Sequence, residues 1–377
     1  MPTIRILATI ALGALTSFAA PEAAPEAAGA PTPFISELGL RESAAPVASR
    51  SRWRRPRLIV VDAGVPGLLT GLRDVAADVE FIGVQSAPEM AAAAVRADAL
   101  VGRPSLICDD AVLAAAQQLR WVQSAYDGVE LCVAKTAFVQ RKILLTNVRA
   151  VAGPVIAEHA MAMLLALTRG LYVFIPRQAS GSWDEAYPVG PILTALQGKT
   201  MLVVGLGGIG AEVAKRANAF GMRVIATRAT PQPLPPFVTY VGTPDELPKL
   251  IGAADVIVHT APLTPATRGL YNAAMFARMK PTAIFINVAR GGAVVTDDLA
   301  AALTSHRIAG AALDVVNPEP LPKDHPLWRA PNLLITPHVA AVAPGQGALV
   351  MRVLRENLRR YVAGERVLSE VDVERGY

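Results

Sequence analysis

The sequence predicts an α/β fold built from two doubly wound parallel sheets, and three observations carry that expectation. Short apolar runs that read as buried strands alternate with helical patterns along most of the chain. One run, Thr200-Met201-Leu202-Val203-Val204, leads into Gly205-Leu206-Gly207-Gly208-Ile209-Gly210 and then into a helical pattern from Ala211. The chain has 377 residues, 52% of them hydrophobic but only 5% aromatic. That length allows two domains, and the aliphatic composition suits α/β layers better than a β-sandwich.

The elements follow in order. Leu58-Ile59-Val60-Val61 is the first buried strand, bounded by Asp62 and Gly64. Residues 98–102 read as a strand end, 110–118 as a helix, 121–124 as a strand followed by a turn at Asp127-Gly128, and 143–146 as a further strand. Gly153-Pro154 opens a long helix through Met161, Met163, Leu164 and Leu167 to about Arg169-Gly170. Such a helix is apolar nearly all round and must be buried in a core or a subunit interface, so a homodimer is expected. A connector with Trp183, Pro188 and Pro191 leads to the glycine run. Strands are then expected at 201–204, 223–226, 255–259, 283–287, 309–313 and 333–336, with an amphipathic helix at 347–361. The expected domains are a dinucleotide-binding domain over 153–337 and a substrate domain combining 58–152 with 338–377, with the active site in the cleft between them.

The first 57 residues differ in character. Residues 1–20 join basic charge to an apolar stretch and a small-residue Ser17-Phe18-Ala19, the pattern of an export signal. The stretch is short for a bilayer span, and no later segment reads as one, so no stable membrane insertion is expected after cleavage. Export to the periplasm is the expected location, with the cytoplasm as the alternative. Residues 21–57 read as a disordered linker, and the cluster Arg50, Arg52, Arg54, Arg55 and Arg57 as its solvated charge rather than a nucleic-acid patch. The net charge is a modest +5. Cys108 and Cys132 are too few for a disulfide framework and read as buried free thiols. No metal-ligand spacing is present.

In the glycine run each glycine has a task. Gly205 permits the tight turn, Gly207 lets the backbone approach a pyrophosphate, and Gly210 lets helix and sheet pack closely; Gly208 and Ile209 complete the turn. Ligands of such sheets lie beyond the carboxyl ends of the strands. Several polar or small residues fall there: Thr227, Arg228 and Thr230; Ala261, Pro262 and Thr267; Val288, Ala289 and Arg290; Asp314; and His338. An acidic residue after the second strand would hold the ribose of NAD, whereas Arg228 suits a 2′-phosphate. NADP is therefore the favoured cofactor, with NAD possible. His259 reads as a satisfied strand-end histidine, and His159, His306 and His325 as structural or surface residues.

Three motifs extend the reading. Arg290-Gly291-Gly292, then Ala311-Ala312-Leu313-Asp314-Val315-Val316-Asn317-Pro318-Glu319-Pro320, then Thr336-Pro337-His338-Val339-Ala340 resemble the D-isomer specific 2-hydroxyacid dehydrogenases. The glycine run and Pro262-Leu263-Thr264 match in order and spacing, and the resemblance runs from about Leu58 to Ala363. It implies two Rossmann-like domains and an Arg290–Glu319–His338 catalytic set. An unperturbed imidazole titrates near physiological pH, which suits His338 to give a proton to a carbonyl oxygen. Glu319 would hold that ring, and Arg290 offers a permanently charged fork for the substrate. Each residue alone would pass for a surface or capping group; together, behind a nucleotide motif, they read as catalytic. Asp314 resembles the family's acidic residue near the nicotinamide carboxamide. Tyr126-Asp127-Gly128 resembles its substrate-carboxylate loop, but Tyr126 and Asp127 stand where the family usually has small residues. The implied activity interconverts a small 2-oxo acid and its D-2-hydroxy acid. The rival is a catalytically silent NAD(P)-sensing protein of the same fold.

Overall fold

The computed structural model describes residues 33–183 and 193–376. The expected signal segment and the connector prolines Pro188 and Pro191 lie outside the described residues. The chain divides into two compact units, one ending at Val151 and resuming at Val342, the other running from Ala152 to Ala341.

The first unit holds a parallel five-stranded sheet, in the order β2-β1-β3-β4-β5. Its strands are β1 (Leu58–Asp62), β2 (Glu80–Val84), β3 (Ala99–Gly102), β4 (Trp121–Ser124) and β5 (Leu144–Thr146). β1, β3, β4 and β5 are buried along their whole length, apolar for most of it as suits a covered parallel sheet, with the buried polar Asp62, Gln123, Ser124 and Thr146 towards their carboxyl ends. β2 is a half-exposed edge whose Glu80-Phe81-Ile82-Gly83-Val84 has no apolar run to announce it. The Gln346–Ala363 helix packs Met351, Leu354, Leu358 and Tyr361 into the same core as Ile59, Val61 and Trp121. Tyr361 stacks on Trp121 with ring centroids 4.3 Å apart. A buried polar chain fixes the register: Trp121 Nε1 donates to Thr146 Oγ1 (2.8 Å), which donates to Gln123 Oε1 (2.7 Å), which also accepts from Asn357 Nδ2 (2.8 Å). Each buried polar atom there has a partner, as the low dielectric of a core requires.

Three expectations for this unit are corrected. Residues 33–57 are not a disordered linker: Phe34, Ile35, Leu40 and Val47 are buried in the core, and Ser43 N donates to the Val367 carbonyl (2.7 Å). Neither is the arginine cluster simply solvated. Arg54 and Arg120 both reach the buried Asp98 at 2.8 Å, Arg55 pairs with Asp78, and Arg50 with Glu370. The composition of this stretch looked like tether because its apolar residues are spaced singly, and only a folded partner surface shows what each one meets. Finally, Cys108 and Cys132 are not free thiols; they form a disulfide with Cα atoms 5.1 Å apart. It joins the end of the Pro104–Ile107 helix to the Glu130–Val133 helix, a proximity that two isolated cysteines in a sequence do not disclose.

The second unit holds a parallel seven-stranded sheet in the order β12-β11-β10-β9-β6-β7-β8. The strands are β6 (Thr200–Val204), β7 (Arg223–Thr227), β8 (Tyr240–Gly242), β9 (Val256–His259), β10 (Ile284–Asn287), β11 (Gly310–Leu313) and β12 (Leu333–Ile335). β8 is the unforeseen member, a short edge strand. Helices cover both faces. On one, the Gly153–Thr168 helix buries Ile156, Ala160, Met163, Leu164 and Leu167 against β6, β7 and β9 side chains such as Met201, Val224 and Val258. The expected boundary after 337 moves to Ala341, because the Val339 and Ala340 amides are bonded to Asp314 of this unit. Among the described residues, no single helix is long and apolar enough to cross a membrane.

Candidate active site

Because every strand pair in the larger sheet is parallel, the loops that follow the strands leave from one edge. At β6 that loop is the glycine turn. Gly205 has φ +100°, and a side-chain carbon there would come within 2.8 Å of Ala261. Gly210 leaves only 2.3 Å between such a carbon and the Gly205 carbonyl. Gly207 is the opposite case: a carbon added there would meet nothing within 4 Å. It caps the Gly208–Ala219 helix, whose first-turn amides have no intrahelical acceptor. Open space over a helix N-terminus, with a positive dipole behind it, fits the pyrophosphate of a dinucleotide. Ile209 lies on the inner side of this helix and packs against the core.

The neighbouring loops complete the cradle. Thr227, at the end of β7, accepts at its carbonyl from the Gly205 and Leu206 amides (3.2 and 2.9 Å). Arg228 follows directly, half-buried, with its guanidinium donating to the Gln232 carbonyl; Thr230 is half-buried beyond it. Beyond β9, Thr260 Oγ1 donates to the Gly205 carbonyl (2.8 Å), and Ala261 and Pro262 follow. The Thr267 hydroxyl closes its own turn. It donates to the Pro262 carbonyl (2.7 Å) and accepts from Thr264 N (2.8 Å). His259 is wholly buried, its Nδ1 3.3 Å from the Tyr271 hydroxyl. Burial lowers its pKa to about 3 and raises that of Tyr271, so the ring is neutral.

Beyond β10, Val288 and Ala289 are buried and lead to Arg290. The buried Asn287 staples this bend: its amide donates to the Arg290 carbonyl (2.9 Å) and its Oδ1 accepts from Ala289 N (3.0 Å). Arg290 is half-buried and donates through Nη1 to the Ala289 carbonyl (2.6 Å). Gly291 admits no side chain, since a carbon there would lie 1.8 Å from the Val316 carbonyl oxygen. That contact presses the Arg290 loop onto the loop that follows β11 and carries Glu319. Glu319 sits between the cis peptide bonds Asn317–Pro318 and Glu319–Pro320. Its Oε1 is 2.6 Å from His338 Nδ1. Both side chains are nearly half exposed, at 41% and 49%, so the pair faces solvent rather than the core. The contact uses Nδ1 and leaves Nε2 as the ring's other proton-exchanging atom.

Asp314 directly follows β11 and faces the loop that carries His338. It is buried, with Oδ1 accepting from Thr336 Oγ1 (2.7 Å) and Val339 N (2.9 Å) and Oδ2 accepting from Ala340 N (3.0 Å). Its carbonyl accepts from His338 N (2.8 Å). The carboxylate thus shapes the His338 loop. Tyr126, Asp127 and Gly128 belong to the five-stranded unit and follow β4. Ser124 Oγ accepts from Tyr126 N (3.0 Å) and donates to the Tyr126 carbonyl (2.7 Å), and Asn147 Nδ2 donates to the Asp127 carbonyl (2.7 Å). Tyr126 is exposed, while partial desolvation raises its phenol pKa against the opposing pull of Arg103. Arg103 itself forms a bidentate pair with the buried Asp62, at 2.6 and 3.1 Å.

Known proteins bear on this arrangement. A sequence model described as the D-isomer specific 2-hydroxyacid dehydrogenase, NAD binding domain, matches residues 161–340. Glyoxylate/hydroxypyruvate reductase A of Photorhabdus laumondii is 34% identical over 220 residues, covering 58% of this chain and 68% of the relative. Glycerate dehydrogenase of Methylorubrum extorquens is 34% identical over 257 residues, covering 66% of this chain and 77% of the relative. The chain belongs to the D-isomer specific 2-hydroxyacid dehydrogenase family. Among solved structures, a member from Xanthobacter autotrophicus Py2 in complex with NADPH and MES aligns at 29% identity with a TM-score of 0.72. The alignment covers 86% of this chain and all of that one (100%). The protein is accordingly an NAD(P)-dependent oxidoreductase of this family.

The sequence assigns no site role to Asn287 or Thr336 and gives His159 only a structural or surface one. Asn287 had a local signal, since asparagine after a strand commonly bonds its own backbone two residues on. Thr336 and His159 had none, because 177 residues separate them and their contact is made only by the fold.

Proposed function

We propose that this dehydrogenase reduces small 2-oxo acids to D-2-hydroxy acids, with Arg290, Glu319 and His338 as its catalytic residues. The observation that carries the reading is the His338–Glu319 contact of 2.6 Å, at the same sheet edge as the dinucleotide cradle of Gly205, Gly207 and Gly210. A bound nicotinamide supplies the hydride that reaches the carbonyl carbon. His338 gives the carbonyl oxygen its proton through Nε2 while Glu319 holds the ring by Nδ1. Arg290 fixes the carboxylate or the carbonyl oxygen, and a permanent cation there also stabilises the charge that gathers on oxygen. The backbone of Tyr126, Asp127 and Gly128 is assigned to the substrate carboxylate. Glyoxylate and hydroxypyruvate are the substrate class, supported by the name of the Photorhabdus relative.

The cofactor is NADP in preference to NAD. Arg228 directly after β7 supports this, where an acidic residue would have favoured NAD. The test is a panel of 2-oxo acids assayed with both cofactors. NADPH oxidation with a small 2-oxo acid is expected; cofactor binding with no turnover across the panel would leave a sensor instead. We also propose export to an oxidising compartment, supported by the Cys108–Cys132 disulfide and tested by mass spectrometry of the mature N-terminus. A homodimer is proposed from the exposed Leu171, Ile175 and Trp183, with sedimentation as its measurement.

A further inference from the structure

We propose that His159 is a positioning residue for His338, acting through Thr336 and Asp314; the inference rests on the catalytic reading of His338. His338 adopts φ +55°, a left-handed conformation that a residue with a side chain holds only where its surroundings enforce it. The enforcement comes from Asp314, which collects the amides of His338, Val339 and Ala340 around one buried side chain and its own carbonyl. Asp314 must therefore keep one orientation, and Thr336 Oγ1 holds it at 2.7 Å.

The direction of each proton follows. The Asp314 carboxylate can only accept, so the single Thr336 hydroxyl proton points to it. The hydroxyl oxygen then accepts from His159 Nε2, 2.9 Å away, and Nε2 must carry a proton. His159 Nε2 also lies 3.6 Å from Asp314 Oδ1. His159 sits in the middle of the Gly153–Thr168 helix, whose neighbouring Ile156, Ala160 and Met163 share a core with Ala340. Helix and loop are thus joined by apolar packing on one side and by the His159–Thr336–Asp314 chain on the other. Removing the imidazole donor frees Thr336 to turn, loosens Asp314 and lets the strained His338 turn relax.

Three substitutions at this position and one at its partner test the proposal. His159→Leu removes the donor, His159→Gln returns an N–H at the Nε2 position, and His159→Asn places one too short to reach. Thr336→Val removes the intermediate hydroxyl. In the free protein, amide exchange at Val339 and Ala340 should rise about tenfold in His159→Leu, His159→Asn and Thr336→Val, and return close to wild type in His159→Gln. With glyoxylate and NADPH, kcat should fall about tenfold in the same three variants with little change in the glyoxylate KM. The His159→Leu and Thr336→Val losses should not add, because they break one chain. Equal behaviour of His159→Gln and His159→Asn would overturn the proposal even if His159→Leu fails to fold. Unchanged exchange in all variants, or a loss that falls on KM alone, would also overturn it. A His338→Gln variant serves as control. If it keeps wild-type kcat, the catalytic reading fails, while the exchange data still judge the loop.

Discussion

The two parallel sheets of this dehydrogenase end very differently at their carboxyl edges. In the five-stranded unit the edge is occupied by groups that satisfy one another: Asp62 takes both arms of Arg103, and Ser124 and Asn147 close the turn that follows β4. At the edge of the seven-stranded unit, glycine replaces side chains at Gly205, Gly207, Gly210 and Gly291, and the Glu319–His338 pair is left facing solvent. The first edge holds backbone in a fixed shape, and the second adds the side chains proposed for the chemistry. The second also needs more support behind it, which the buried Asn287 and Asp314 and the half-buried Thr336 provide.

The largest expected effect tests the chemical edge. His338→Gln should lower kcat for 2-oxo acid reduction by about 10²–10⁴-fold while NADPH still binds, measured by steady-state kinetics and cofactor fluorescence. Retained activity would remove the distinction between the two edges. Next comes the disulfide, confined to the five-stranded unit. Its loop spans 24 residues, so Cys108→Ser with Cys132→Ser should cost about 3 kcal/mol in denaturant unfolding. NADPH binding by the other unit should persist at denaturant concentrations that unfold the first. Joint loss of both would show that the units do not unfold separately.

A smaller effect is expected at the shape edge. Asp62→Asn leaves Arg103 without its counter-charge; since Arg103 is about one-third exposed, water compensates in part, and the cost should be about 2 kcal/mol by chemical denaturation. The last effect, read as a slope rather than as a single cost, concerns His259, buried and neutral behind the cradle. Its folded pKa is depressed to about 3, below the unfolded value near 6.5. The stability it contributes is therefore complete above about pH 6.5 and drains away as pH falls toward 3. His259→Leu should make the loss of stability between pH 6 and 4 shallower by about 1.4 kcal/mol per pH unit, read from denaturation midpoints across that range. An unchanged slope would mean that the ring is not buried as neutral imidazole.

Taken alone, the sequence determined the parts whose signal is local. A buried parallel strand is carried mostly by consecutive apolar residues, so β1, β6, β9, β10 and β11 could be read directly, and the glycine turn between β6 and its helix declared its ligand class. The pairing of Glu319 with His338 was legible because each stands in a fixed motif just past a strand. The edge strands β2 and β8 were not, because half-exposed strands carry mixed residues. Tertiary structure alone decided the rest. Pairing of Cys108 with Cys132, burial of Phe34, Ile35, Leu40 and Val47, the bonding of Asp314 to the His338 loop and the reach of His159 to Thr336 all join distant points of the chain. The physical reason is that a covalent neighbour constrains only its own few dihedrals, whereas a buried charge or hydroxyl must find whatever partner the packed fold brings within about 3 Å.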